Sequence, residues 1–183
     1  MKTLAGVLVG LALAVSSGGA FAATECNGPL SGTIVGGVVV NDGDFCVLGG
    51  ANVSGGVQVN PGGILIICAS TINGGIDANG AGNVLMGAEE IGCPGSVINV
   101  GIQISNTGPG AIQAPPGERS PPSIGLERSI IHGAVRLTGN VGPIAFASNG
   151  VAGGLFCADN AFDLDDEGMA NIVTGKVTCT FGD

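Results

Sequence analysis

The sequence predicts an all-β fold, a single-stranded parallel β-helix (solenoid) of about seven coils, and three observations lead to that prediction. A short motif of the form apolar-x-Gly-Gly-apolar-x-apolar recurs along the chain. The chain combines 36 glycines with 45% apolar residues and has neither Trp nor Tyr, which suits short strands and sharp turns better than disorder or collagen. The motif returns at intervals near 19 or 20 residues, as stacked coils of one size require. We expect the helix to be right-handed.

The first 22 residues are predicted to be a signal peptide. Lys2 supplies the positive charge, Leu4 to Val15 form the apolar region, and Ala20 to Ala22 read as a cleavage site. An uncleaved membrane anchor is the alternative, but the apolar run is short for a bilayer span of about 20 residues. Residues 23–183 are then the mature β-helix domain, which we expect to be secreted, periplasmic or extracellular.

The charge balance narrows the classes of partner. The chain has 14 acidic and 5 basic residues, a formal net charge of −9, which disfavours binding to nucleic acid and to anionic lipid. We therefore expect no nucleic acid and, after signal cleavage, no membrane among the partners. A cell-surface glycan and self-association remain as partner classes.

Seven copies of the motif define the coils. They are Ile34–Val40, Val53–Val59, Ile72–Ala78, Ile98–Ile104, Ile131–Leu137, Val151–Cys157 and Val173–Cys179. The intervals between them are 19, 19, 26, 33, 20 and 22 residues. The 26-residue interval has extra residues around Glu89, and the 33-residue interval contains a Pro-rich segment, 114–127, predicted to be a loop outside the stack.

Strand alternation assigns the two sides of each strand. The first apolar residue and the last two apolar residues of each copy, such as Ile34, Val38 and Val40, should face the core. Second apolar runs, such as Phe45–Leu48 and Ile64–Ile67, supply further strands of each coil. An antiparallel sandwich is the alternative, but hairpins reverse strand direction and would not need the Gly-Gly pair in a constant phase.

Six cysteines in an exported chain predict three disulfides. Cys157 and Cys179 occupy the same motif position in successive copies, and equivalent positions on adjacent coils lie about 4.8 Å apart, within reach of a disulfide. Cys26 and Cys46 are 20 residues apart and Cys68 and Cys93 are 25 apart, again about one coil. Metal binding by thiolates is the alternative, but the chain has no C-x-x-C and no Cys/His cluster.

The residue after each Gly-Gly-apolar step should point outward, which gives one column along the stack. It consists of Val39, Gln58, Asp77, Gln103, Arg136, Phe156 and Thr178. Its polar centre, Gln58, Asp77, Gln103 and Arg136, is a candidate binding stripe for a glycan, and the alternative is a solvated face. The single histidine, His132, lacks a matched nucleophile and is predicted to be a surface residue, so that no catalytic residue is assigned.

An acidic segment near the C-terminus is a candidate metal site. Oxygen ligands at this density could bind Ca²⁺, although the spacing fits neither an EF-hand nor the nonapeptide calcium repeat, and a solvated turn is the alternative. The candidate ligands are Asp159, Asp163, Asp165, Asp166 and Glu167. Calcium is the one cofactor that the sequence suggests.

Three segments, NVSGGVQVNPGG, TINGGIDANGAGNV and INVGIQISNTGPG, resemble exported bacterial proteins with degenerate parallel β-helix repeats. The resemblance covers most of the mature chain and implies the fold, but its motif contains no catalytic residues to transfer. Two classes of function follow as expectations. One is a non-catalytic structural or surface and adhesion module, and the other is a glycan-binding or polysaccharide-acting protein that uses the outward column.

Overall fold

A computed structural model describes residues 22–113 and 120–182 of the chain. Most of the predicted signal peptide, residues 1–21, and the first part of the Pro-rich segment, residues 114–119, lie outside the described residues. No helix among the described residues is long and apolar enough to cross a membrane.

Short β-strands make up almost all of the regular structure. They are β1 (Thr24–Glu25), β2 (Gly28–Ile34), β3 (Val38–Val40), β4 (Phe45–Val53), β5 (Val57–Val59), β6 (Ile64–Cys68), β7 (Thr71–Ile72), β8 (Ile76–Asn79), β9 (Asn83–Met86), β10 (Val97–Ile98), β11 (Ile102–Ser105), β12 (Ile124–Glu127), β13 (Ile130–Ile131), β14 (Val135–Thr138), β15 (Ile144–Ala147), β16 (Gly150–Val151), β17 (Leu155–Ala158), β18 (Leu164–Asp165) and β19 (Ile172–Val173). One short 3-10 helix, η1 (Glu89–Ile91), lies between β9 and β10.

The strands stack into three parallel ladders, which we call faces A, B and C. Face A has the order β1-β3-β5-β8-β11-β14-β17. A twelve-stranded sheet supplies the other two faces, because the nine-residue strand β4 bends at Gly50 and pairs with different strands on either side of the bend. Face B is the arm β4-β6-β9-β12-β15-β18, face C is the arm β4-β7-β10-β13-β16-β19, and β2 pairs along β4. The fold is therefore an all-β parallel β-helix, as predicted, and not an antiparallel sandwich.

The register of the motif is confirmed in every copy. The first apolar residues form one column on face C: Ile34, Val53, Ile72, Ile98, Ile131, Val151 and Val173. The apolar residues after the Gly-Gly pair form another on face A: Val38, Val57, Ile76, Ile102, Val135, Leu155 and Val177. Most members of both columns are buried in one continuous core, which the apolar columns of face B complete.

The Gly-Gly pair lies at the corner between faces C and A, where successive coils approach very closely. A Cβ atom on Gly55 would lie 2.7 Å from the carbonyl oxygen of Gly36, and one on Gly133 would lie 1.2 Å from that of Val100. Real Cβ atoms essentially never come within 3.0 Å of another heavy atom in this way. The absence of a side chain is therefore what lets the coils close at this corner.

The corner between faces B and C is held by a ladder of side-chain oxygens that the sequence did not reveal. In five successive coils a Ser or Asn oxygen accepts the backbone N–H of the corner residue in the preceding coil, at 2.9 to 3.1 Å. The acceptors are Ser70, Ser96, Ser129, Asn149 and Asn171. The ladder satisfies backbone donors that the turn removes from the sheet, and buried donors without a partner are costly.

All three predicted disulfides are present. Cys26 is bonded to Cys46, Cys68 to Cys93 and Cys157 to Cys179, with Cα atoms 5.3, 5.0 and 4.8 Å apart respectively. The first bridge lies in the core at one end of the stack and the last bridge joins the two final coils. Three disulfides indicate an oxidising compartment, periplasmic or extracellular.

The Pro-rich loop is shorter at its C-terminal end than predicted. Residues 124–127, assigned to the loop, form β12, which is buried and pairs with β9 and β15. Thr107 donates its N–H to Asn140 Oδ1, and Ser123 donates its N–H to the carbonyl of Pro143, both at 3.0 Å. The chain stays bonded to the stack as far as Ile112, whose N–H donates to Asn83 Oδ1 at 2.9 Å, and it rejoins the stack at Ser123. The prediction placed the boundary wrongly because it followed the prolines rather than the apolar alternation.

The extra residues around Glu89 fold over the outside of face B. Ile66 and Leu85 point out of the main core there, and they pack with Ala88 and Cys93 into a second small apolar cluster. The disulfide between Cys68 and Cys93 fastens this covering segment to β6. The insertion thus converts part of an outer face into an interior surface.

Candidate functional site

The outward column of face A is continuous, as predicted. Gln58 pairs with Asp77, Asp77 with Gln103, Gln103 with Arg136 and Arg136 with Phe156 on successive coils. The guanidinium carbon of Arg136 lies 4.6 Å from the centre of the Phe156 ring, a cation–π contact. The structure therefore brings the four candidate ligand-binding residues together, and ligand binding by them stays a prediction.

A shallow groove of about 420 Å³ runs beside the first part of this column. The glycines of three successive pairs and the neighbouring column residues line it: Gly37, Gly56, Gly75, Val39, Gln58 and Asp77. Because the glycines have no side chains, the groove exposes backbone as well as the polar column. Such a surface can form hydrogen bonds along an extended polar chain, but Asp77 is the one carboxylate in the column.

His132 belongs to a polar ladder on the outside of face C. Its Nδ1 atom lies 2.8 Å from Asn99 Oδ1, Asn99 donates to Asn73 Oδ1 at 2.9 Å, and Asn73 donates to Asn52 Oδ1 at 3.0 Å. All three contacts are exposed to solvent. This arrangement places the histidine in a row of stacked amides, which accounts for it without a catalytic role.

The acidic segment near the C-terminus does not gather its five carboxylates at one point. Asp163, Asp165 and Glu167 line a cleft beside face B, whereas Asp159 and Asp166 line other depressions. Two of these carboxylates accept hydrogen bonds from their own segment. Asp165 Oδ1 accepts the N–H of Glu167 at 2.9 Å and Asp166 Oδ1 accepts that of Gly168 at 3.0 Å. The candidate calcium site is therefore not assembled from the five predicted residues as a set.

The cleft beside face B contains a carboxylate that the sequence interpretation overlooked. Glu127, assigned to the Pro-rich loop, ends strand β12, points outward and is fully buried under the covering segments. Its Oε2 atom accepts the N–H of Glu89 at 3.0 Å, whereas its buried Oε1 atom has no hydrogen-bond partner. If Ile124 and Leu126 are taken as core residues of a strand, strand alternation places Glu127 on the outer side of face B.

The electrostatic environment of Glu127 is unusual for this chain. Burial raises the pKa of its carboxyl from 4.5 to about 7, and the nearby charges of Glu90 and Glu167 add to the rise. The hydrogen bond from Glu89, which is the second largest effect after burial, and the smaller effect of the Arg128 charge lower the pKa. Desolvation is thus the main cause, as expected for a carboxylate with only one oxygen hydrogen-bonded.

Glu127 is also the centre of a cluster of carboxylates. One oxygen from each of Glu90, Glu127 and Glu167 lies within 4.8 Å of the other two. Glu90 and Glu167 are exposed and line a cleft of about 360 Å³ with Asp163 and Asp165. This is the one group of three or more potential metal ligands among residues 22–113 and 120–182, and it shares only Glu167 with the predicted set.

Comparison of the chain with protein families, with curated proteins and with solved structures finds no match. The functional interpretation therefore depends on two surfaces, the outward column of face A and the carboxylate cluster beside face B.

Proposed function

We propose that this protein is an exported, non-catalytic structural or surface module. The observation behind the proposal is the placement of the three disulfides along the stack. Each disulfide joins residues about one coil apart, and two of the bridges lie in the first and last coils. The ends of a solenoid expose unpaired strand edges, so that bridges there favour a rod that keeps its shape outside the cell.

The outer surfaces support a role in display or spacing rather than in turnover. The polar column of face A contains amides, one carboxylate and an arginine in contact with Phe156. General acid–base hydrolysis of a glycoside needs two carboxyl groups that reach the scissile bond. Among the described residues, Glu127 is the one carboxyl with a strongly raised pKa, and its side chain is fully buried.

Two measurements test this proposal. Cell fractionation combined with thiol alkylation before lysis should recover the protein from the envelope or medium with all six cysteines protected. Incubation of the mature protein with a panel of polysaccharides should release no oligosaccharide. A cytoplasmic protein with free thiols would contradict export, and a released product would contradict a non-catalytic role.

The groove on face A favours a second candidate, a glycan-binding protein. Gln58, Asp77, Gln103 and Arg136 follow one another on consecutive coils at a spacing of about 4.8 Å, and the groove beside the first two exposes backbone of the Gly-Gly pairs. An extended polar chain could bond to several coils at once.

A glycan array with a matched pair of double variants tests the second candidate. Gln58→Ala with Gln103→Ala removes two amides from the column and should abolish any binding that the native protein shows. Asn73→Ala with Asn99→Ala removes two exposed amides from face C and should leave that binding intact. Equal effects of both double variants, or no binding by the native protein, would rule this candidate out.

A further inference from the structure

The carboxylate of Glu127 is incompletely satisfied although it is fully buried. Its Oε1 atom lies close to Gly125, whose strand neighbour Ala145 lines the cleft together with Pro122. The unpartnered oxygen is thus on the side of the strand that faces the cleft. Native proteins rarely leave a buried acceptor without a partner, so each exception needs an explanation.

The neighbouring cation does not supply that partner. Arg128 directs its guanidinium at backbone carbonyls, at 2.6 Å from Gly87 and 3.1 Å from Cys93, and forms an ion pair with Glu89 at 3.5 Å. These contacts fasten the covering segment to the strand. The carboxylates of Glu90, Glu127 and Glu167 thus meet beside the cleft, and the guanidinium of Arg128 is directed elsewhere.

The spacing of the three carboxylates suits one shared cation. Calcium binds oxygen ligands at about 2.3 to 2.6 Å, so that two ligands on opposite sides of one ion are about 4.6 to 5.2 Å apart. All three oxygens fall within 4.8 Å of one another, and the open cleft leaves room for water to complete the six to eight ligands typical of calcium. Every cysteine of the described chain is in a disulfide, and the ligand set consists of oxygen alone, which favours a hard cation.

From the buried carboxylate of Glu127, which has one unpartnered oxygen, and from the close approach of its carboxylate to those of Glu90 and Glu167, we propose that these three residues bind one Ca²⁺ ion. Glu90 belongs to the segment that covers face B, Glu127 to β12 and Glu167 to the turn after β18. The ion joins three segments that are far apart in sequence, and it gives the unpartnered Oε1 atom a partner. The site is independent of any ligand on face A.

A calorimetric titration of the chelator-treated protein with CaCl₂, at fixed ionic strength, tests the proposal. We expect binding of one ion with a Kd of about 10⁻⁴ to 10⁻³ M, the range of extracellular calcium modules. At calcium concentrations about a hundred times the Kd, the unfolding midpoint should rise by about 5 °C or more. Magnesium should bind more weakly, because it prefers fewer carboxylates and a smaller, stricter geometry.

Three single variants separate the site from general charge effects. Glu127→Gln keeps an acceptor for the Glu89 N–H but removes the charge, and Glu167→Gln removes the charge of an exposed ligand. Each should weaken calcium binding at least tenfold. Glu25→Gln, an exposed glutamate of β1, makes the same change of charge and should bind calcium as the native protein does.

Several outcomes would overturn the proposal. They are the absence of both binding heat and a midpoint shift at 10 mM CaCl₂, an equal loss of affinity in Glu25→Gln, and magnesium binding as tight as calcium binding. If the unpartnered oxygen instead reflects a protonated Glu127, calcium will have no effect, and Glu127→Gln will leave the neutral-pH stability unchanged or raise it.

Discussion

Replacement of Gly133 by alanine is the sharpest test of how the coils stack. The new Cβ atom would lie 1.2 Å from the carbonyl oxygen of Val100, so that the corner would have to open by about 2 Å to reach an ordinary contact distance. Two hydrogen bonds between coils flank the corner, from His132 N–H to the Ile98 carbonyl and from Ile102 N–H to the Ala134 carbonyl, both at 2.9 Å.

Loss of two buried backbone hydrogen bonds costs about 2 to 6 kcal/mol. The smaller entropy of the unfolded alanine variant offsets about 0.4 to 1 kcal/mol of that. We therefore expect Gly133→Ala to lower the free energy of unfolding by about 3 kcal/mol, which for a chain of this size corresponds to a drop in the unfolding midpoint of about 6 to 12 °C.

The assay is urea and thermal unfolding followed by far-ultraviolet circular dichroism under oxidising conditions, because the chain has no Trp or Tyr to follow by fluorescence. Gly150→Ala is the matched control, since a Cβ atom there meets no atom within 4 Å and the backbone is not left-handed. It should be neutral or stabilising by up to about 1 kcal/mol. If both variants prove equally stable, the tight corner between faces C and A does not exist as described.

Three further predictions concern buried polar groups and the disulfides. In the presence of a chelator, the contribution of Glu127 to the free energy of unfolding should be fully present below about pH 4.5 and should fall by up to about 3 kcal/mol as the pH rises through 7, because the folded state holds the proton of Glu127 more tightly than the unfolded state does. Glu127→Gln should remove this slope in urea titrations at several pH values, and an unchanged slope would contradict the assignment. Joint replacement of Cys157 and Cys179 by serine, which opens a link between residues 22 apart, should lower the free energy of unfolding by about 3 kcal/mol, and stability equal to that of the native protein would count against a constraint at this end. Asn149→Ala should lower the free energy of unfolding by about 2 to 4 kcal/mol because it leaves buried backbone groups unpaired. Asn73→Ala removes an exposed amide and should change that free energy by no more than about 0.5 kcal/mol. Similar losses of stability in the two variants would contradict the ladder at the corner between faces B and C.

The stack and its disulfides could be predicted because the same physical requirement applies at equivalent positions of every coil. Each coil must leave an apolar side chain in the core and a glycine at the tight corner, so that the motif aligns Ile34 with Val53 and Ile72 without further information. Once that register is known, Cys157 and Cys179 can only lie on top of each other. Periodicity is therefore sufficient to predict the register of those parts of the chain that repeat.

The carboxylate cluster could not be predicted in this way, because its members come from segments that do not repeat. Glu90 lies in an insertion and Glu167 in a terminal turn, and the period does not determine the path of either segment. The sequence does contain a signal for the position of Glu127, because Ile124 and Leu126 continue the alternation of core residues on face B. The nearby prolines favoured a loop instead, so that this strand was not predicted.

The acidic residues near the C-terminus include carboxylates that stabilise their own turn. Asp165 and Asp166 bond to N–H groups of their own turn, at 2.9 and 3.0 Å. Carboxylates in turns commonly act in this manner. Part of the acidic density near the C-terminus is therefore explained by local turn formation.

The disulfides also determine how the molecule would respond to tension. When the two ends of the chain are pulled apart, the load entering at Cys26 crosses the sulfur bridge to Cys46 and bypasses the residues between them, and the same occurs between Cys68 and Cys93 and between Cys157 and Cys179. Only the unbridged lengths of chain can unravel. An oxidised molecule held at both ends would thus yield by a limited extension and then become stiff, whereas a reduced one would unwind along its whole length.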